Sequence, residues 1–302
     1  MGTPEFSAVS LQHLIDSGFD VAAVYTQPDK PKSRGMKLST SPVKELAIRY
    51  DIPLHQPKSL RDTSVKDEIA AYKPDIIAVV AYGKLLPPDI ISIPGLGCIN
   101  IHGSLLPKYR GSAPIQWAVL NGDEVTGVTS MYMDDKLDSG DMIYKSCTEI
   151  GEYETSGELF QRLSVLGGEL LIKTLRDIDS GTAPRIPQEH SKASYTTQLS
   201  KDMCPIDWSK TPEEIVKKVC GLIPWPVATM TAAGVTLKVF EVSYMDSTSD
   251  LPPGSIANVT AEGIEVSCGM GETLLVRQVQ APGKKRMNAA DYARGHSLGA
   301  GI

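Results

Sequence analysis

Apolar runs alternate with amphipathic stretches through the first part of the chain. Residues 21–25 and 76–80 are apolar at every position, a pattern typical of parallel strands that are buried on both faces of a sheet. The predicted strands are 20–27, 75–82, 97–102, 126–133 and 142–150. The predicted helices are 4–17, 42–50, 61–72, 114–121 and 155–178, with a polar loop at 28–41. This alternation predicts an α/β fold with a doubly wound, mostly parallel sheet.

The pattern changes after Gly181. Residues 182–200 are rich in Pro, Ser and Thr and lack periodicity, which predicts a linker between domains at 1–181 and 201–302. The later region contains a predicted helix at 212–222 and short strand-like runs at 227–232, 235–242, 254–259, 263–268 and 273–279. Several short strands with few helices predict a small β-barrel.

Two polar side chains mark the end of one predicted strand. Asn100 and His102 alternate with Ile99 and Ile101, so both polar residues are expected on one face, roughly 6.5–7 Å apart along the strand. Gly103 then ends the strand, and open α/β sheets bind their ligands at the carboxyl ends of strands. A histidine in this position can equally be a hydrogen-bonded structural residue.

Asp138 follows a later strand and is predicted to reach the same edge of the sheet. An amide, an imidazole and a carboxylate can together serve as oxyanion donor and proton-transfer groups. Ser104 lacks the G-x-S-x-G setting of an acyl-enzyme nucleophile, so it is interpreted as a loop residue.

Composition narrows the class of protein. The chain has 302 residues, 41% hydrophobic and 22% charged, as is typical of globular proteins. No apolar run approaches the roughly 20 residues of a membrane helix, and the N-terminus carries no basic-then-apolar signal pattern. A cytoplasmic location is therefore expected. The five cysteines and five histidines are scattered without metal-ligand spacing, which predicts buried, reduced cysteines and no metal.

The net charge of −6 argues against a generally basic nucleic-acid binder, but the basic residues form two clusters. We name the first the basic loop (Lys30, Lys32, Arg34 and Lys37). The second is the C-terminal basic cluster (Lys284, Lys285 and Arg286). On composition alone, each is equally well a solvated surface turn.

Three segments carry a family resemblance: 100–107 (Asn-x-His-Gly-Ser-Leu-Leu-Pro), 109–116 (Tyr-Arg-Gly-Ser-Ala-Pro-Ile-Gln) and 137–141 (Leu-Asp-Ser-Gly-Asp). They closely resemble the formyltransferases that use 10-formyltetrahydrofolate. Further matches extend the resemblance over nearly the whole chain and favour the branch that acts on initiator methionyl-tRNA. They lie at 2–6, 26–29, 41–44, 81–83, 206–209, 224–226 and 282–285.

The resemblance implies roles for the residues at the predicted cleft and a Rossmann-like first domain. Asn100 and His102 would stabilise the oxyanion, and Asp138 would orient the imidazole or take the proton of the attacking amine. A folate contact is implied for the loop formed by Ser104, Leu105, Leu106 and Pro107. A simple apolar turn after the strand is the alternative for that loop.

The resemblance also implies how the chain meets its second substrate. The basic loop would meet the acceptor stem of initiator methionyl-tRNA, with Arg34 as the favoured residue, although Lys32-Ser33 replaces a familiar Ala-Gly. A C-terminal barrel similar to the oligonucleotide-binding fold would bind tRNA through the C-terminal basic cluster. The expected partners are thus this tRNA and the folate, without a membrane, and the expected state is a monomer.

Three other functions compete with this interpretation. A small-molecule formyltransferase, acting on an amino sugar or a purine precursor, would share Asn100, His102, Asp138 and the folate loop but would not need the basic loop. A folate hydrolase or dehydrogenase module is disfavoured because no nicotinamide-binding segment follows residue 181. A catalytically silent RNA-binding module would not need the intact Asn, His and Asp.

The start of the chain suggests a further expectation. Met1-Gly2-Thr3-Pro4 lies in the turn that follows the first strand of the resembling family's sheet, and that strand would be paired on both sides. We therefore expect Met1 to be an internal methionine of a longer natural protein. A genuine short form that tolerates the gap is the alternative.

Overall fold

The structure is a computed structural model that describes residues 1–32, 37–296 and 298, with backbone only at 30–32 and at 37 and 38. The chain divides into two compact units. The first unit comprises residues 1–114, 125–149 and 160–196, and the second comprises 115–124, 150–159 and 197–302. Among the described residues, none of the helices is both long and apolar enough to cross a membrane.

The helices largely follow the predicted ranges. In chain order they are α1 (Glu5–Asp16), α2 (Pro42–Arg49), α3 (Thr63–Ala71), α4 (Pro88–Ile91), α5 (Pro114–Leu120), α6 (Ser156–Asp179), α7 (Pro212–Gly221) and α8 (Ala289–Gly295). Short 3₁₀ helices lie at His190–Lys192, Lys201–Met203 and Gly269–Gly271. The helices α4 and α8 were not predicted from the sequence.

The strands of the first unit are β1 (Val24–Tyr25), β2 (Lys30–Lys32), β3 (Lys37–Ser39), β4 (Leu54–His55), β5 (Ile77–Val80), β6 (Cys98–His102), β7 (Arg110–Gly111), β8 (Val125–Tyr132), β9 (Met142–Glu149) and β10 (Tyr195–Thr196). Those of the second unit are β11 (Thr229–Ala232), β12 (Val235–Thr248), β13 (Ile256–Val259), β14 (Ile264–Ser267), β15 (Glu272–Gln280) and β16 (Met287–Asn288).

The first unit contains a four-stranded sheet in the order β5-β6-β8-β9. The strands β5 and β6 are parallel, whereas β6 with β8 and β8 with β9 are antiparallel. The connection between β8 and β9 is too short for the crossover that parallel strands require, which explains why these two strands are antiparallel. On the other side, β1 and β4 are parallel, and Gly2 forms a parallel bridge to Val80. The predicted Rossmann-like class is confirmed, although β8 runs opposite to β5, β6 and β9.

Close packing of α6 holds β6 in place. Ile99 is fully buried, and Ile101 is 3% exposed. A Cβ added at Gly167 of α6 would lie 3.1 Å from Ile101 and 3.0 Å from Phe6 of α1. Glycine at 167 therefore lets the helix approach the strand that carries the candidate chemistry, at a distance no larger residue would allow without a shift.

Met1 and Gly2 lie between β1 and β5. The Gly2 N–H donates to the Tyr25 carbonyl at 2.9 Å, and the Val80 N–H donates to the Met1 carbonyl at 2.9 Å. A cavity of about 470 Å³ adjoins them and is lined on one side by residues 21–25 and on the other by residues 74–78. None of the three predicted catalytic residues lines this cavity. The expectation that Met1 belongs to a longer natural protein stays a prediction.

The second unit is built on one antiparallel sheet in the order β11-β12-β15-β14-β13, with β16 paired to β15. All five predicted strands are present, and the sheet curls into a half-barrel. Register shifts along β12, between Val239 and Thr248, supply local bends of the kind that curl a sheet.

Two segments differ from their simplest sequence prediction. The predicted polar loop at 28–41 contains an antiparallel pair, β2 with β3, in which Lys30 faces Ser39 and Lys32 faces Lys37. Within 182–200, β10 pairs in parallel with β7, and Ile186 bridges to Met142. Backbone hydrogen bonds thus attach part of this segment to the first unit. The boundaries at 1–181, 182–200 and 201–302 stay predictions.

Candidate active site

The strand β6 places Asn100 and His102 next to each other on one face, as predicted. Its neighbours are β5 in parallel and β8 in antiparallel, with Asn100 opposite Met131 and His102 opposite Thr129. Asn100 is partly exposed, whereas His102 is 6% exposed. Because β6 is central and paired on both sides, the two side chains project from a rigid support.

Asp138 approaches both residues from the loop between β8 and β9. Its Oδ1 accepts a long hydrogen bond of 3.5 Å from Asn100 Nδ2, and its Oδ2 lies 3.7 Å from His102 Nδ1. The same Oδ2 accepts a shorter bond of 2.8 Å from the Gly111 N–H. The structure therefore brings the three predicted catalytic side chains together and adds a backbone donor that the sequence analysis did not anticipate.

The environment of His102 determines which ring nitrogen carries the proton. In the ring orientation described, Nε2 lies 2.8 Å from the Tyr109 carbonyl oxygen. A carbonyl can only accept, so Nε2 is the protonated nitrogen, and the neutral imidazole presents an unprotonated Nδ1 on the Asp138 side. Protonation of Nδ1 would direct an N–H toward the carboxylate.

The loop predicted to contact folate is firmly attached to the protein. Ser104 is fully buried, and its Oγ donates to the Lys108 carbonyl at 2.6 Å. Thr129 Oγ1 donates to the Ser104 carbonyl at 2.6 Å and accepts from the Leu106 N–H at 3.1 Å.

The four residues of this loop separate into two kinds. Leu106 packs with Met131 and Met142, so its side chain, like that of Ser104, serves to hold the loop. Leu105 and Pro107 are partly exposed and remain accessible to a ligand. Contact with a folate stays a prediction for all four.

Close backbone approach explains the glycines around Asp138. Gly111 has φ +99°, and a Cβ there would lie 2.7 Å from the Thr196 carbonyl oxygen. A Cβ at Gly140 would lie only 1.9 Å from the Tyr132 carbonyl oxygen. Asp138 itself adopts a left-handed φ of +49°. The Asp138 loop therefore requires glycine at 140, and β7, which donates to the Asp138 carboxylate, requires glycine at 111.

Arg110 and Gln188 are functional neighbours that the sequence analysis missed. Both side chains are buried, and Gln188 hydrogen bonds to the backbone of the Asp138 loop. Arg110 lies inside a segment that carried the family resemblance, which was a usable signal. Gln188 lies in the predicted linker, where no sequence pattern marked it.

The predicted tRNA-binding residues fall in both units. Arg34 lies outside the described residues, and the side chains of the other three basic-loop residues are likewise not described. In the second unit, the C-terminal basic cluster is exposed, and the Arg286 guanidinium lies 4.6 Å from the centre of the Phe240 ring. A role in tRNA binding stays a prediction for both groups.

The cysteines match the sequence prediction at four positions. Cys98, Cys204, Cys220 and Cys268 are buried, whereas Cys147 is exposed, so the prediction of burial is wrong there. Cys147 lies on β9, whose residues alternate between the two faces of the sheet. Within the described ranges, no group of three or more His, Cys, Asp or Glu side chains could hold a metal ion.

Two family models and full-length relatives match this chain. Residues 1–175 match the family model described as formyl transferase, and residues 198–297 match the one described as formyl transferase, C-terminal domain. A methionyl-tRNA formyltransferase of Alkaliphilus oremlandii is 47% identical over 298 residues, which cover 99% of this chain and 96% of that protein. The methionyl-tRNA formyltransferase of Clostridioides difficile is 47% identical over 302 residues, covering 100% of this chain and 97% of that protein.

A solved structure supports the fold independently. It is an N-formyltransferase from Helicobacter canadensis in complex with folinic acid and dTDP-3-aminofucose, and it matches with a TM-score of 0.70 at 17% identity. The match covers 93% of this chain and 97% of that one. At this identity the likeness concerns the fold alone. The family matches and the full-length relatives show that the chain belongs to the formyl transferase family, in its methionyl-tRNA formyltransferase branch.

Proposed function

We propose that this chain transfers the formyl group of 10-formyltetrahydrofolate to the amino group of methionyl initiator tRNA, for translation initiation. The observation that carries the proposal is the convergence of Asn100 and His102 on the Asp138 carboxylate, at 3.5 Å and 3.7 Å. The full-length relatives named methionyl-tRNA formyltransferase favour the tRNA acceptor over a small molecule.

The chemistry defines what the site must supply. The methionyl nitrogen forms a bond to the formyl carbon, and the bond between that carbon and N10 of the folate breaks. The amine loses one proton and N10 gains one, so the proton balance closes without a further reactant. The site therefore needs a group that accepts and returns a proton, and a donor for the oxyanion that develops on the formyl oxygen.

Asn100 is the proposed oxyanion donor. Its hydrogen bond to Asp138 is long, at 3.5 Å, and engages only one of the two hydrogens on Nδ2. The other can donate to the formyl oxygen as negative charge develops there. Such a donor typically contributes about 3 kcal/mol to transition-state stabilisation.

The resemblance implied that His102 stabilises the oxyanion together with Asn100. Because its Nε2–H is directed at the Tyr109 carbonyl, we propose it instead as the proton carrier, with Asp138 as its electrostatic partner. Because Nε2–H donates to the Tyr109 carbonyl, Nδ1 is the nitrogen that can accept the proton of the attacking amine. The nearby Asp138 carboxylate would stabilise the resulting imidazolium, and the ring would then return the proton to N10.

Asp138 is also the alternative base. A carboxylate offers about four acceptor positions, and the contacts from Gly111 and Asn100 use two of them. Asp138 could therefore take the proton of the amine directly or through a water molecule.

Substrate binding follows the same assignment. Leu105 and Pro107 are the proposed apolar contacts to the folate, with Ser104 and Leu106 holding the loop. The basic loop and the C-terminal basic cluster are the proposed contacts to the tRNA phosphates. Their positive charge would add affinity without base specificity. Residues 1–181 would then carry catalysis, and residues 201–302 would bind tRNA. The reaction belongs to translation, so the proposal keeps the expected cytoplasmic location, and it keeps the expected monomer.

A steady-state assay with alternative acceptors tests the proposal. The purified chain is given 10-formyltetrahydrofolate with methionyl initiator tRNA, free methionine or a nucleotide-linked amino sugar. We expect kcat/KM to be highest by orders of magnitude for the tRNA. Preferential formylation of the amino sugar would overturn the proposal. A His102→Ala preparation purified in parallel controls for contaminating enzyme from the expression host.

A further inference from the structure

The Gln188 side chain holds the backbone of the loop that carries Asp138. Its Nε2 donates to the Asp138 carbonyl at 2.9 Å and to the Gly140 carbonyl at 2.8 Å. Both hydrogens of one amide thus bind carbonyls two residues apart in the loop. Gln188 is 6% exposed, so water competes little for these bonds.

Arg110 determines the orientation of that amide. Its Nε and Nη2 donate to Gln188 Oε1 at 3.1 Å and 2.7 Å. A guanidinium can only donate, so the oxygen of the amide must face Arg110 and its nitrogen must face the loop. Arg110 is 2% exposed and is held in turn by His190 Nδ1 at 3.0 Å and the Tyr195 hydroxyl at 3.2 Å.

The loop needs this support because its conformation is unusual. Asp138 is a non-glycine residue with a left-handed φ of +49°, a conformation that persists only where the surroundings impose it. The Gly111 N–H holds the carboxylate at 2.8 Å, and Gln188 holds the main chain of the same residue. Asp138 is therefore fixed at both ends, and both anchors depend on the adjacent residues of β7.

We propose that Gln188, oriented by Arg110, is a positioning residue for Asp138. The inference rests on the proposed function, because it assigns to Gln188 an effect on the formyl transfer step that Asp138 serves. Loss of the Gln188 amide would let the carboxylate move away from His102 without removing any proposed substrate contact. Displacements of about 1 Å near reacting groups can reduce rates about 100-fold.

The substitution Gln188→Glu removes the donor and keeps the shape. The carboxylate of the variant still accepts from Arg110, which favours folding, but it has no hydrogen to offer the two loop carbonyls. We expect kcat for formylation of methionyl initiator tRNA to fall by roughly 10- to 100-fold, with KM for both substrates within about threefold. The matched control is Gln198→Glu, the same substitution at an exposed position ten residues along the chain, and it should leave kcat unchanged.

A double-mutant comparison separates positioning from a general structural effect. If Gln188 acts only through Asp138, adding Gln188→Glu to Asp138→Asn should cause no further loss of kcat. Additive losses, a kcat equal to wild type, or a rise confined to KM would overturn the inference.

The comparison remains decisive in two further cases. If thermal unfolding shows that Gln188→Glu does not fold, Gln188→Met replaces it, since that side chain has similar length and no hydrogen-bond donor. Failure of the wild-type chain and the Gln198→Glu control to formylate the tRNA would instead refute the proposed function, so the two failures are distinguishable.

Discussion

Replacement of Asp138 by asparagine removes the negative charge of the carboxylate beside His102 while it keeps the side-chain shape. The carboxylate lies 3.7 Å from His102 Nδ1 and accepts from Gly111 at 2.8 Å. The amide oxygen of the variant can keep the Gly111 bond, and a rotation of the Asn100 amide can satisfy its nitrogen. The change therefore removes electrostatic stabilisation and base function more than it disturbs packing.

The magnitude of the loss follows from these contacts. A positioned proton-transfer group typically contributes a factor of about 10²–10⁴, which corresponds to about 3–5 kcal/mol in the activation free energy. The effect on folding should be smaller. A hydrogen bond to a charged acceptor is worth about 1 kcal/mol more than a neutral one, so Tm should fall by only a few degrees.

The assay measures initial rates of formylmethionyl-tRNA formation at varied folate and tRNA concentrations. We expect kcat to fall by about 10²–10⁴ for Asp138→Asn, with KM for the folate nearly unchanged. The matched control is Asp141→Asn in the same loop, where the side chain is 38% exposed and lies 3.8 Å from Arg185. Its kcat should stay within about twofold of wild type because exposed ion pairs contribute little.

Two results would refute this reasoning. A kcat for Asp138→Asn within about threefold of wild type would remove Asp138 from the chemical step. A large increase in KM for the folate at unchanged kcat would make it a binding residue instead.

Three further predictions concern other parts of the chain. Asn100→Ala should lower kcat by about 10²–10³ in the same assay without unfolding the protein, and wild-type turnover would contradict its role as oxyanion donor. Neutralising the C-terminal basic cluster should reduce the log–log salt slope of tRNA binding by about one for each phosphate that the variant no longer binds, whereas an unchanged slope would mark the cluster as a solvated turn. Of the five cysteines, only the exposed Cys147 should react rapidly with a thiol reagent in the native state, since the others are buried and burial raises the pKa of the Cys98 thiol to about 12. Rapid reaction of several thiols would contradict that burial.

The sequence predicted the core of the candidate site because local rules determine it. Period-two alternation placed Asn100 and His102 on one face of a strand, and the glycine after them located its carboxyl end. Asp138 was expected nearby because the strand before it was taken to end at the same edge. That premise is wrong, since β8 runs antiparallel to β6 and ends opposite Ile99, and the loop after β8 brings the carboxylate to Asn100 and His102. These inferences need only short-range patterns and the general behaviour of α/β sheets.

The parts that the sequence did not predict depend on contacts between distant residues. Gln188 binds carbonyls 50 and 48 residues away, and its partner Arg110 is 78 residues away. No periodicity records such pairings, and the composition around Gln188 favoured a linker. The protonated nitrogen of His102 depends on the position of the Tyr109 carbonyl, which is also a tertiary feature.

The sequence analysis predicted β8 and β9 but not that they pair in antiparallel. Both strands were predicted, and the short connection between them already excludes a parallel crossover. The length of the connecting loop therefore indicates the antiparallel pairing, whereas the pattern of the strands alone does not.

The central claim is that Asn100, His102 and Asp138 transfer a formyl group to methionyl initiator tRNA. A single-turnover experiment tests it most directly: excess enzyme is mixed with radiolabelled 10-formyltetrahydrofolate, and the charged tRNA is then added. We predict that the wild-type chain moves the label to the methionyl amine and that His102→Ala does so at least about 100-fold more slowly, although it binds the folate with similar affinity. Equal transfer rates for the two proteins, or no label on the tRNA with the wild-type chain, would contradict the claim.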